Sequence, residues 1–190
     1  MAHRSVDPFA LDGNFSRRIG QDWMLIAAAR PDGTVNAMTA AWGGVGFIWQ
    51  RPAAFFFIRP QRCTKTFVET ASTLSLSFLV GSEYRDALNF MGNTSGYDDP
   101  RKVEHSGLSL AYHEGSVEQN PPLADARVER TPYFAEAQLV LICERLYQQD
   151  MLAECFLDKE PLERFYGKVA GESDLHSFYI ASIRHMLLND

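Results

Sequence analysis

Residues 36–66 read NAMTAAWGGVGFIWQRPAAFFFIRPQRCTKT, and the fold is decided there. Two polar clusters, 36–44 and 59–66, bracket the apolar run AAFFFI at 53–58. A Phe-rich run entered through Arg51-Pro52 and left through Arg59-Pro60 reads as a buried strand. Proline cannot continue a central ladder, so the two prolines mark its ends. Gln61-Arg62-Cys63-Thr64-Lys65-Thr66 follows, and then Phe67-Val68-Glu69, which reads as the start of a helix. A helix N-terminus carries unpaired N–H groups and partial positive charge. With Arg62, Thr64, Lys65 and Thr66 at its mouth, it would seat a phosphate. An ordinary capped surface helix with solvated charges satisfies the same residues.

Upstream, WMLIAAA at 23–29 is strand-like, Pro31-Asp32-Gly33 is a turn, and 34–41 returns as a second strand. This makes a hairpin over 22–41. Gly43-Gly44 and Gly46 then predict a bend or a close backbone approach. Downstream, 64–71 is a short helix, and TLSLSFLV at 73–80 alternates as a strand with one polar face. Ser82 is placed as the N-cap of a helix running to Met91. Residues 92–102 (GNTSGYDDPRK) form a polar loop. Residues 135–147 suit an amphipathic helix by composition, but the compact LVLIC run favours a long strand, with Ala137, Leu139, Leu141 and Cys143 on one face. Residues 161–166 read as a helical turn and 176–187 as a closing strand. Residues 1–20 read as an extended arm, and 115–130 as irregular. Successive strands without regular intervening helices argue against a doubly wound α/β fold. The expectation is a mainly β, antiparallel barrel with a few short helices attached, in one domain over 1–190.

The chain has 190 residues, 46% hydrophobic and 12% aromatic, enough for one sizeable core. A formal net charge of −6 argues against a general nucleic-acid binder. Cys63, Cys143 and Cys155 form no CxxC pair, which fits reduced thiols and a cytoplasmic protein. Residues 1–13 lack the apolar region of a signal peptide, and no run approaches the roughly 20 apolar residues of a membrane span. His3, His105, His113, His176 and His185 show no metal-ligand spacing. There is no GxSxG, and the Gly43-Gly44-Val45-Gly46 run does not open a helix as a dinucleotide fingerprint would.

Asn36-Ala37-Met38-Thr39-Ala40-Ala41-Trp42-Gly43-Gly44, then Pro52, then Arg59-Pro60-Gln61-Arg62-Cys63-Thr64, resembles the flavin reductase-like, flavoredoxin-type proteins. The resemblance continues through Ser95-Gly96, Lys102, Glu136-Ala137 and Asp174-Leu175-His176 to Tyr179-Ile180. It covers most of the chain in the family's order. Each piece alone is weakly specific, and the ordered set carries the resemblance. It implies an FMN-binding split β-barrel, usually a homodimer. By the same resemblance, Asn36, Met38, Thr39, Ala40, Ala41 and Trp42 would line the flavin ring. Arg59, Arg62, Thr64 and Thr66 would hold the phosphate and ribityl chain. Ser95, Gly96 and Lys102 would close the phosphate end. His176 would lie near the flavin as the candidate catalytic residue. The chain departs from the pattern at Tyr97, where the family often carries Arg, so the loop's phosphate contacts do not transfer directly.

The residues themselves are compatible with that cofactor. The helix start can seat a dianion, while Met38, Trp42 and Phe47 can wall an apolar ring. Ala37, Ala40 and Ala41 permit close backbone approach. The implied activity is an NAD(P)H:flavin oxidoreductase, with a downstream electron acceptor or oxygenase among its partners. The alternatives are a flavoredoxin-type FMN electron carrier without its own nicotinamide site, or a non-catalytic split-barrel binding protein.

Overall fold

The computed structural model describes residues 3–115, 129–167 and 174–189 and places ten strands among them. In chain order these are β1 (Arg4–Val6), β2 (Met24–Ala29), β3 (Val35–Ala40), β4 (Gly43–Ile48), β5 (Arg51–Ile58), β6 (Thr73–Phe78), β7 (Leu110–Gly115), β8 (Glu129–Phe134), β9 (Leu139–Asp150) and β10 (Ser177–Leu188). The helical segments are α1 (Phe15–Arg17), α2 (Cys63–Thr70), α3 (Arg85–Asn93), α4 (Lys102–His105) and α5 (Glu160–Tyr166).

The main sheet is ordered β3-β2-β6-β9-β10-β5-β4 and is antiparallel at every pairing. The long β10 pairs with β5 through its first half and with β1 through its last residues. Laid flat, strands spaced at about 4.8 Å would put β3 and β4 roughly 29 Å apart. Yet only Ala41-Trp42 separates them in the chain, a link that reaches about 11 Å. The sheet therefore rolls until its edges approach, and β3 lies against β5. The result is an antiparallel barrel split between β3 and β4, as the sequence leads one to expect.

The inward residues form one core around Met24, Ile26, Phe56, Leu76, Leu141 and Tyr179, with Phe56 and Tyr179 stacked at 5.2 Å. A second core covers the outside of β2, β3 and β9. There Leu25, Ala37, Val140 and Ile142 meet Leu88 and Met91 of α3, Val103 of α4 and Phe134 of the β7–β8 hairpin. Strand β2 is buried on both faces, which is why its sequence is apolar without alternation.

Four readings shift. The first twenty residues are not all extended, because short helical turns follow β1. Ser82 opens a 3-10 turn whose carbonyl accepts from Arg85 N, so α3 begins later, at Arg85. Ala137 precedes β9 and joins the outer core, while Leu139, Leu141 and Cys143 face the barrel interior. Strand β5 is fully buried on its inward face only, since on the other face Ala53 is buried but Phe55 is 38% exposed. Most of the segment read as irregular lies outside the described residues, and its ends are the paired strands β7 and β8.

Candidate functional site

The end of β5 delivers Arg59, and the chain turns through Pro60-Gln61 into α2. The first turn of α2 faces the end of α3 and the loop beyond it. Between them lies a cleft of about 340 Å³, lined by Met38, Arg62, Thr64, Ser95, Gly96 and Lys102 with their neighbours. Its floor is polar and closely fitted. Asn36 and Thr64 are buried, and the Thr64 hydroxyl donates to Asn36 Oδ1 at 2.7 Å. A Cβ on Gly96 would stand 2.3 Å from Asn36 Nδ2 and 3.0 Å from Cys63 Sγ. Glycine is needed there for close approach to these two side chains.

Two cations stand over this floor. Lys102, only 2% exposed, donates from Nζ to Met91 O at 2.9 Å and to Thr94 O at 2.7 Å. Arg62 donates to Gly92 O. Both therefore sit on the last carbonyls of α3, where the helix dipole is negative. Those bonds fix the cations in place without neutralising them. Neither forms an ion pair among the described residues. Burial pushes the Lys102 amine down to about 8, with Arg62 adding repulsion. Burial, and then Arg59, lowers Arg62 as well. Ser95 Oγ accepts from Tyr97 N at 3.1 Å, which leaves the hydroxyl proton available to donate.

Arg59 belongs to a different arrangement at the other end. Its guanidinium donates to Asp174 Oδ2 and to Phe165 O, each at 2.9 Å, and lies 5.3 Å from the Tyr166 ring. Gln61 donates to the second Asp174 oxygen at 2.8 Å. The charge of Arg59 is thus already answered. Beyond it, the Trp42 ring lies 4.7 Å from the His176 ring and 5.1 Å from Phe165. The Tyr166 hydroxyl meets His176 Nδ1 at 2.6 Å. Burial, reinforced by Arg59, pushes the His176 imidazole down to about 4, so it is neutral near pH 7.

The fold thus gathers Met38, Arg59, Arg62, Thr64, Ser95, Gly96 and Lys102 at one cleft, with Asn36 beneath it and Trp42 and His176 beyond Arg59. Three residues are engaged elsewhere. The Thr66 hydroxyl donates to Cys63 O and accepts from Arg30. Thr39 donates to Leu88 O at 2.6 Å, and Ala40 packs in the interior core. Ala41 is half-buried in the link between the two edge strands. Sequence reasoning did not single out Asp174 or Tyr166 as site residues. Asp174 stands two residues before His176, a spacing that was legible. Tyr166 ends a short helix with no local mark of its role.

No protein-family model matches the chain, and no curated protein matches it at a significant level. Solved structures do. An FMN-binding domain of a flavin reductases-like enzyme from Shewanella baltica OS155 superposes with a TM-score of 0.63 at 16% identity, covering 98% of this chain and 77% of that one. The fold is that of the flavin reductase-like split barrels. A flavoredoxin from Methanosarcina acetivorans gives a TM-score of 0.63 at 14% identity, covering 89% of this chain and 69% of the other. An FMN-binding protein from Thermus thermophilus with bound p-hydroxybenzaldehyde gives 0.59 at 16% identity, covering 98% and 82%. This split barrel contains no helix, among the described residues, long and apolar enough to cross a membrane.

Proposed function

We propose that the chain is an FMN-binding oxidoreductase of the flavin reductase type. The observation that carries this is the pair Arg62 and Lys102, held at one cleft with no carboxylate partner among the described residues. Asp99 offsets the Lys102 charge only from a distance and burial still lowers the amine, so the charge lacks a paired carboxylate, which is costly. A phosphate dianion resolves that cost, and the donor set suits one: a planar guanidinium, an ammonium, the Ser95 hydroxyl and the backbone at the start of α2. The split barrel, shared with proteins described as FMN-binding, makes FMN the phosphate-bearing ligand of choice.

In this reading Arg62, Lys102 and Ser95 hold the phosphate. Thr64 and Asn36 shape the floor, and Gly96 lets the loop close on it. Met38 supplies apolar wall, and residues 40–42 offer backbone to the ring edge. Trp42 and His176 flank the far end. Arg59 tethers α5 and Asp174 to β5, so that end keeps its shape. Bound FMN would supply the redox chemistry, accepting a hydride from NAD(P)H and passing electrons on. The neutral His176 offers one ring nitrogen for a hydrogen bond at that end but carries no charge to the site.

The test is a visible spectrum of the purified protein, followed by titration with FMN. Stoichiometric uptake is expected, with the dissociation constant rising roughly 10- to 100-fold in Arg62→Ala, the usual value of a charged hydrogen bond. A colourless protein that takes up no FMN would remove this function and leave the fold standing. Steady-state oxidation of NADH and NADPH by the loaded protein then separates a reductase from a flavoredoxin-type carrier.

A further inference from the structure

The contact between Tyr166 and His176 has no part in binding a phosphate, and its construction is specific. Both side chains are buried, at 7% and 9% exposure, and the oxygen–nitrogen distance is 2.6 Å. The Tyr166 ring is held by Phe156 at 6.1 Å and by the Arg59 guanidinium at 5.3 Å. His176 is fixed through its carbonyl, which accepts from Met151 N at 2.9 Å. Trp42 at 4.7 Å and the edge of Phe57 at 6.4 Å flank the imidazole. No described residue hydrogen-bonds to His176 Nε2, and that nitrogen is not among the buried atoms left without a partner. One ring nitrogen is therefore engaged by Tyr166, and the other is open.

A neutral imidazole carries one proton, and the bond made by the engaged nitrogen decides where it sits. The tyrosine hydroxyl has one hydrogen to give. Its other acceptor is Met151 Sδ at 3.9 Å, a weak and distant one. The bond at 2.6 Å takes the hydrogen. We propose that Tyr166 is a positioning residue: its hydroxyl donates to His176 Nδ1, holding the imidazole as the Nε2–H tautomer and presenting a fixed neutral donor to an acceptor atom of whatever docks beside Trp42. His176 then acts by donating a hydrogen bond, and it is excluded as a base through Nε2. That the docked group is the flavin or its redox partner rests on the function proposed above, whereas the tautomer does not.

The arrangement is read directly by long-range proton–nitrogen correlation on protein labelled at the histidine nitrogens, without ligand, from pH 5 to 8. Arg59, Asp174, Arg62 and Tyr166 are the charged and titratable groups acting on this ring. The wild type should show His176 as a single Nε2–H tautomer that does not titrate in that range. In Tyr166→Phe the preference should collapse to a mixture of tautomers and the apparent pKa should rise, because the bond to the neutral form is gone. Unchanged signals from His3, His105, His113 and His185 report that the variant is folded. An Nδ1–H tautomer in the wild type overturns the proposal without recourse to any variant, as does an unaltered tautomer in Tyr166→Phe. A protein that shows the expected tautomer but binds no FMN sinks only the function proposed above.

Discussion

Lys102 shows how one residue couples the fold to the ligand. In sequence it is a charge at the end of a polar loop, and its position there suggests an exposed side chain. In the structure it is buried, because the last carbonyls of α3 need donors and its amine reaches two of them. Nothing local in the sequence marks those carbonyls as its partners, so the burial was not legible even though the residue was. The same holds for Asn36 and Gly96, whose fit depends on a contact between β3 and the loop after α3. Burial holds the amine at about 8, below its usual 10.5, so the unfolded chain binds more protons between those values. Stability of the unliganded protein should therefore rise with pH from about 8 to 10.5, and this contribution should be absent below 8. A bound dianion favours the charged amine, so FMN affinity should move the opposite way, weakening about tenfold between pH 7 and 9. Isothermal titration across that range measures it, and Lys102→Met should flatten the profile.

Strands β4 and β5 carry a different tension at the level of the element. Ile48 pairs with Arg51, so only Trp49 and Gln50 make the turn, with φ of 50° and 59°. Two positive φ values in a two-residue loop define the turn type that normally calls for Asn-Gly. The sequence between these strands gives no such signal, so the tight turn was not legible, whereas Pro31-Asp32-Gly33 announced the β2–β3 turn plainly. Strand β5, the helix α2 and the long strand β9 were also readable from their apolar runs and stop signals, although Pro52 lies inside β5, paired with Phe47, and only Pro60 lies beyond its end. Replacing Trp49-Gln50 with Asn-Gly should relieve the strained backbone and raise stability by about 1 kcal/mol. The urea midpoint should move upward with the slope unchanged. A fall in the midpoint instead would mean that Trp49, 53% exposed in this chain, packs against another surface in the protein as it exists in solution.

That surface brings in the whole molecule. Six apolar residues in a row at 53–58 predict a strand covered on both faces, yet the barrel interior takes only Ala54, Phe56 and Ile58. The outer face presents Phe55 and Phe57, which pair across to Ile180 and Phe178 of β10, with Tyr147 beside Ile180 on β9. Phe57 and Phe178 also line an apolar cleft of about 350 Å³ together with Met151, Leu152 and Phe156. A contiguous apolar sheet face of this kind is unusual on a monomer. The excess of apolar residues was legible in the sequence, but which side of the strand would remain open was not, because that depends on how the sheet rolls. The expected cover is a second copy of the chain, which would also shield Phe57 where it meets the His176 ring. Sedimentation should give a dimer for the wild type and a monomer for the double variant Phe55→Glu and Phe178→Glu. Placing charge in a desolvated apolar interface costs several kcal/mol, enough to dissociate it at micromolar concentration. A wild-type monomer with full FMN content would sink the idea, because the site would then be complete within one chain and the apolar face would need another partner.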